Sequence, residues 1–422
     1  MLEPSHYIML VLFVAGYAAI IFEHRVRVNK SAASVSLAGS LWTVLYVSAG
    51  GDHETVHHQL REHVSAVSEI VFFLLGAMTL VEVIDSHGAF KLVTDRIRTR
   101  SKRKVMCLIG IIAFFMSAIL DNLTTTIVMV SLLKRIIPKR QDRLLLGGLV
   151  VVTANAGGAW TPMGDVTTTM LWIGGQITAV GVMRSLLLPS LVAMLVSLAL
   201  FSLRMKGNFA PGPAESEDQK VETGAKRVLS LGIGAFLFVP VFKAATHMPP
   251  FMGILIGLGV MWLVTDLLHS ERPDTTHIRV PHALTKVDVS GVFFFLGILL
   301  SVGALQSAGI LGVMAAGLDH VTSGPVMLAT VIGLLSAVVD NVPLVAGAMG
   351  MYSTTQYPVD GQFWQLIAFC AGTGGSVLVI GSAAGVAFMG MQKVDFLWYV
   401  RKISPIALAG YFAGIATYLA MG

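Results

Sequence analysis

Apolar runs of roughly one bilayer thickness follow one another along almost the whole chain. They lie near 7–22, 31–49, 64–85, 105–137, 144–182, 185–203, 228–243, 251–268, 288–306, 325–353, 362–391 and 404–420. A helix needs about 20 apolar residues to cross the hydrocarbon core, and most of these runs fit one crossing. Charged residues make up 13% of 422 positions, against about 25% in an ordinary soluble domain. Too little polar surface exists to cover a soluble globule, so a soluble enzyme, a disordered chain and a fibrous protein are excluded. The bilayer is the solvent that fits. The first residues lack a basic n-region and a small-residue cleavage site, and the first run reads as a retained span. Cys107 and Cys370 both stand in apolar runs, which leaves no readable disulfide framework.

Four runs are too long for one crossing and carry polar residues in the middle. The runs 105–137 and 325–353 are interrupted by Asp121-Asn122 and Asp340-Asn341, the second followed by Pro343. The runs 144–182 and 362–391 contain Gly-rich polar stretches, TANAGGAWTPMGD (153–165) and GTGGS (372–376). Non-helical backbone at membrane depth survives only when it is buried in protein or lines a watery cavity.

Charge separates crossings from re-entrant hairpins. Lys91, Arg96, Arg98, Arg100, Lys102, Arg103 and Lys104 precede the run 105–137, and Lys134, Arg135, Lys139, Arg140 and Arg143 follow its start of return. Basic flanks belong on the cytoplasmic side, so this run is expected to enter and return, with Asp121-Asn122 near its tip. Between Lys286 and Lys393 there is no Lys or Arg, and the hairpin 325–353 is read with both ends outside. Ten crossings and two hairpins put both termini outside and leave 26 of the 29 Lys and Arg in cytoplasmic segments, all but Arg61, Arg184 and Lys243. The net charge of +5 is thereby explained by topology, without a nucleic-acid partner.

The chain repeats itself. Ser117, Ala118, Asp121 and Asn122 recur as Ser336, Ala337, Asp340 and Asn341. Phe73 and Gly76 recur as Phe294 and Gly297, Trp42 as Trp262, and Gly157, Gly158 and Gly164 as Gly374, Gly375 and Gly381. Residues 1–205 form the first copy, 206–226 a cytoplasmic linker and 227–422 the second copy. Five crossings per copy, an odd number, make the copies oppositely oriented. Inverted repeats with paired broken helices point to a secondary transporter with its site near the midplane.

The candidate chemistry lies at the interruptions. A carboxylate at membrane depth costs several kcal/mol unless it is paired, hydrated or protonated, and each copy places one beside an amide at its hairpin tip. Asn122, Asn341 and the hydroxyls of Thr124, Thr125 and Thr126 add the oxygen ligands that hard cations prefer. One carboxylate that takes either a cation or a proton is the minimal exchanger; the plainer alternative is a structural Asp capping a half-helix. Asn155, Thr161, Asp165, Thr167 and Thr168 surround the first break, and Thr373, Ser376 and Ser382 the second. Asp165 aligns with Ser382, so this acid belongs to one copy only; the plainer alternative puts it near the external end of its span. Glu82 and Asp85 read as solvated charges facing the basic 91–104 loop. His53, His57, His58 and His63 read as a solvated external loop, with a weak metal patch or a pH sensor as the alternative.

The segments SAILDNLTTTIVMVSLL (117–133), TANAGGAWTPMGDVTTTMLW (153–172) and SAVVDNVPLVAGAMGMY (336–352) resemble those of the NhaD-type sodium/proton antiporters of the ion transporter superfamily. The resemblance spans essentially the whole chain. It implies an all-α integral membrane fold of about ten transmembrane helices, two hairpins and two broken helices, working in an elevator-like way as a homodimer. It implies ion-binding roles for Asp121, Asn122, Thr124, Asn155, Asp165, Thr167, Thr168, Asp340, Asn341, Thr373 and Ser382, with Asp121, Asn122, Asp340 and Asn341 as Na+ ligands. No cofactor and no enzymatic activity are expected; the partners are Na+ or Li+, protons and lipid, in a bacterial inner membrane.

Two rival readings stand beside this one. An anion carrier of the same superfamily, for a dicarboxylate or arsenite, calls for a neutral or cationic midplane, and no Lys or Arg is expected there. An intramembrane aspartyl protease would use a carboxylate pair, but its Gly-x-Gly-Asp motif fails at the first position of Pro162-Met163-Gly164-Asp165.

Overall fold

The computed structural model describes residues 4–21, 23, 27–90, 92, 101–137, 139–209, 221–270, 278–321, 324–379 and 381–421. Lys91, Arg96, Arg98 and Arg100, and positions 210–220 of the expected linker, lie outside the described residues. Among the described residues the secondary structure is helical, with no strand.

The first half begins with α1 (Pro4–Ile21), α2 (Lys30–Ser48) and α3 (His53–Ser86). The hairpin follows as α4 (Lys102–Leu120) and α5 (Asn122–Ile136), separated by Asp121 alone. The broken crossing is α6 (Arg140–Gly158) and α7 (Val166–Ile173), and α8 (Ala179–Arg204) closes the half. The second half runs α9 (Ala225–Thr246), α10 (Pro250–Leu268), the short α11 (Val280–Lys286), α12 (Val289–Ser307) and α13 (Ile310–Val321). Its hairpin is α14 (Pro325–Leu335) and α15 (Asn341–Met351), its broken crossing α16 (Gln362–Gly374) and α17 (Ala383–Gln392), and it ends with α18 (Phe396–Lys402) and α19 (Ser404–Met421).

Among the described residues, α2, α3, α4, α8, α9, α10, α12 and α19 are long and apolar enough to cross a membrane. Several turn bulky apolar side chains outward: Leu263 and Leu267 on α10 are 67% and 76% exposed, and Val241 on α9 is 63% exposed. Such a surface is untenable in water and natural in lipid. The chain is a multi-pass membrane protein.

The helix α3 starts earlier than the apolar run does. Its 34 residues span about 51 Å, well over the hydrocarbon thickness. His53, His57 and His58 therefore sit on an exposed first stretch of helix, not in a loop. Glu54 in the first turn favours that start, and Val56, Val67 and Ile70 bury one stripe of it. Among the described residues no three His, Cys, Asp or Glu side chains are grouped to hold a metal, so the metal-patch alternative has no support. Lys243, one of the three basic residues expected outside the cytoplasmic segments, donates to the Trp172 carbonyl (2.7 Å) at the last turn of α7. A cation there complements the negative end of the helix.

The most extensive packing joins α2 to α12, α8 to α19, α4 to α6 and α14 to α16. The last two pairs seat each hairpin's first arm on the first part of a broken helix, and the same small-residue contacts recur in both. A Cβ on Gly157 would collide with the Phe114 carbonyl oxygen, and one on Gly374 with the Gly333 carbonyl oxygen. Gly164 packs on Gly158 and the Ser117 carbonyl, Gly381 on the carbonyls of Ser336 and Ala337. Ser117 Oγ donates to Ala154 O (2.7 Å) and Ser336 Oγ to Ala371 O (3.1 Å). Backbone thus meets backbone wherever a hairpin tip approaches a break.

Gly157→Ala and Gly374→Ala should each cost about 1–3 kcal/mol, because the collision is with backbone and not with a flexible side chain. Gly39→Ala, where an added Cβ meets nothing within 4 Å, should be neutral or slightly stabilising. Thermal unfolding of the purified protein in detergent measures all three.

Candidate functional site

Four helix N-termini in the interior are capped by side chains. At the first hairpin, Asp121 Oδ1 accepts from Thr124 N (2.8 Å) and Oδ2 from Thr124 Oγ1 (2.9 Å). Its backbone stands at φ 87°, ψ 161°, a region that only glycine adopts freely. That conformation turns the chain back within a single residue. At the second hairpin, Asp340 Oδ1 accepts from Val342 N (3.3 Å) at the start of α15. At the first break, Asp165 Oδ1 accepts from Thr167 N (3.0 Å) and Thr167 Oγ1 (2.9 Å) at the start of α7. At the second break, Ser382 Oγ accepts from Gly385 N (3.2 Å) at the start of α17. Each cap satisfies donors that a helix N-terminus leaves open, and the positive ends of three helices face three carboxylates.

Amides link these caps. Asn122 Nδ2 donates to Asp165 Oδ2 (2.7 Å) and to Asn155 Oδ1 (2.9 Å). Asn341 Nδ2 reaches Asp165 Oδ1 at 3.5 Å, and Asn155 Nδ2 donates to Ser382 Oγ (3.0 Å). Asp165 therefore receives both hairpin-tip amides. It is 1% exposed.

Asp121, Asn122, Thr124, Asp165, Asp340 and Asn341 line one cavity of about 120 Å³. Phe73 and Phe294, equivalent positions of the sequence repeat, form part of its apolar wall. Asn155 and Ser382 stand behind the cavity as a bridge between α6 and α17, and Thr167 supports Asp165. Two expected residues are not drawn in. Thr373 Oγ1 donates to Phe369 O (2.5 Å) on its own helix. Thr168 is buried on α7 with its hydroxyl unpartnered among the described residues. Glu82 pairs with Lys286 Nζ of α11 at 3.3 Å; residues 91 and 93–100 of the basic loop it was expected to face lie outside the described residues.

One residue of the cavity wall was not expected from sequence. Lys30, the first residue of α2, lines the cavity and places Nζ 3.6 Å from Asp340 Oδ2. The expectation that no Lys or Arg reaches this region is thus corrected. In sequence, Lys30 closes a basic cytoplasmic segment and precedes an apolar run, the pattern of an interfacial charge. Only the packing of α2 on α12 turns its side chain inward.

A family model described as "Citrate transporter" matches residues 17–372. Sodium/proton antiporter 1 of Arabidopsis thaliana is 54% identical over 415 residues, covering 98% of this chain and 72% of that protein. Sodium/proton antiporter 2 of the same plant is 51% identical, covering 98% and 99%. The Na+/H+ antiporter NhaD of Vibrio cholerae is 30% identical, covering 98% and 91%. In fold, the solved YdaH transporter of Alcanivorax borkumensis matches with a TM-score of 0.58 over 87% of this chain and 88% of that one, at 11% identity.

A multi-pass helical bundle around a buried, acid-rich cavity defines a membrane transporter. The chain belongs to the NhaD-type sodium/proton antiporter family, within the larger group that the citrate-transporter model describes.

Removing Asn155 leaves the Asn122 amide and the Ser382 hydroxyl short of a partner in the interior. Asn155→Ala should therefore cost about 1–3 kcal/mol, read as a lower unfolding temperature in detergent.

Proposed function

We propose that the protein exports Na+, and Li+, in exchange for protons, and that Asp121, Asp165 and Asp340 are the groups for which the two ions compete. Asn122, Asn341 and Thr124 supply further oxygens, and Thr167, Asn155 and Ser382 hold the carboxylates and amides in place. The observation that carries this reading is the convergence of both hairpin-tip amides on Asp165 inside a cavity shared with Asp121 and Asp340. A hard monovalent cation finds carboxylate, amide and hydroxyl oxygens there. Protons take the same carboxylates, so occupancy by one ion excludes the other. An unoccupied site carries several negative charges through a low-dielectric medium at a cost of several kcal/mol, which suppresses its movement and couples the two flows.

The two halves act as inverted repeats, residues 1–205 and 227–422. The hairpins and broken helices, among them Thr168 and Thr373, form a transport unit that moves in an elevator-like way against α2, α3, α9, α10 and α12. The protein works as a homodimer in a bacterial inner membrane with both termini outside, as the partition of its Lys and Arg favours.

The citrate-transporter name of the family model and the presence of Lys30 in the cavity favour, at first sight, an anionic substrate. The charge balance opposes it. Asp121, Asp165, Asp288 and Asp340 line the cavity against the single ammonium of Lys30, so a citrate or other polyanion meets net repulsion.

Na+-dependent dequenching of a pH-sensitive dye in everted vesicles tests the exchange. Asp121→Asn, Asp165→Asn and Asp340→Asn should each reduce it to the level of vesicles lacking the protein. Full exchange in any of the three removes that residue from the assignment, and Na+-independent uptake of labelled citrate by the wild type would sink cation exchange as a whole.

A further inference from the structure

Lys30 and Asp340 form an ion pair unlike the Lys102–Asp142 pair. Lys102 and Asp142 approach to 2.7 Å with side chains 16% and 11% exposed, the geometry of a closed, charge-assisted hydrogen bond. Lys30 and Asp340 are 3.6 Å apart and 33% and 22% exposed, on the wall of the cavity. A pair so loose and so accessible is held weakly.

Its parts belong to different units. Lys30 is fixed to the α2/α12 pair. Its backbone N–H donates to Glu23 Oε1 (3.2 Å), Asn29 caps the helix through Ser31 N (2.8 Å), and Ser31 Oγ donates to Ser290 O (2.6 Å) on α12. Asp340 is on the hairpin between α14 and α15. Of its two oxygens, Oδ1 is engaged by Val342 N, and Oδ2 is the one that Lys30 approaches. A cation entering from the cavity would meet that same oxygen. The ammonium also lies 4.4 Å from the centroid of the Phe294 ring, a face on which it can rest when it leaves the carboxylate.

We propose that Lys30 is a tethered competitor for the cation seat at Asp340: its ammonium occupies Oδ2 until Na+ displaces it onto the Phe294 face. Lys30 thereby sets the Na+ concentration at which the site fills, and between ions it ties the second hairpin to α2 and α12. The proposal rests on the Na+ exchange described above and adds a specificity-determining residue to it.

The test is a Na+ titration at fixed pH and constant ionic strength. It is read as thermal stabilisation of the purified full-length protein and as half-saturation of exchange in everted vesicles. Lys30→Gln removes the competitor, so half-saturating Na+ should fall about two- to five-fold, the worth of a partly exposed pair. Lys30→Arg keeps the charge and should stay at the wild-type value, while the fall in Lys30→Gln is what a merely structural role would not predict. Lys30→Met, which keeps the stem over Phe294, is read in the same way where Lys30→Gln fails to accumulate. Unchanged or raised half-saturation in Lys30→Gln or Lys30→Met, or an equal drop in Lys30→Arg, overturns the proposal while leaving the exchange intact. A wild type that responds to Na+ in neither measurement overturns the exchange itself, and the competitor with it.

Discussion

Carboxylates placed deep in an apolar molecule have to be held by something, and here helix N-termini hold them. Asp121, Asp165 and Asp340 each cap a helix that begins in the interior, and Ser382 caps the fourth. The open N–H groups at those helix starts would be unsatisfied without the side chains, and the side chains would be uncompensated without the helix ends. The breaks and turns are therefore conditions for keeping acids at this depth. One carboxylate oxygen, or part of its lone-pair capacity, is committed to the helix and the remainder faces the cavity, which is the division of labour an ion site needs.

The surrounding structure serves that convergence. Helix ends from opposite halves of the chain come together only if backbones approach closely, and Gly157, Gly164, Gly374 and Gly381 permit it. Asn155 then joins the first half to the second through Ser382, and Asn341 joins the second to the first through Asp165. Neither half of the chain completes the site alone. The aromatic wall and the α2/α12 pair stand on the other side, where Lys30 faces the hairpin.

Much of this was legible as interruptions in an apolar text. Asp121 and Asp340 announced themselves because a charge within a hydrophobic run has few innocent explanations, and the Gly-rich stretches marked the breaks because nothing else tolerates them at that depth. What stayed hidden has definite physical causes. The rank of Asp165 depends on two amides that arrive from residues 43 and 176 positions away. Thr373 satisfies its own helix carbonyl, as threonine in a helix is free to do, and no spacing rule separates that outcome from ligation. The start of α3 at His53 escaped a search for apolar runs because the outer turns of a long helix need only one buried stripe. Lys30 resembled an interfacial lysine in every local respect.

The order of residues alone determined that the chain lives in lipid, where its apolar runs are interrupted, and which acids are stranded among apolar neighbours. These follow from transfer free energies and backbone hydrogen bonding, which act locally. Which acid receives the amides, which hydroxyls turn away, and which lysine reaches inward were decided by the packing of helices distant in sequence. Side-chain reach is a few ångströms, so partnership is settled only once tertiary structure has brought those helices together.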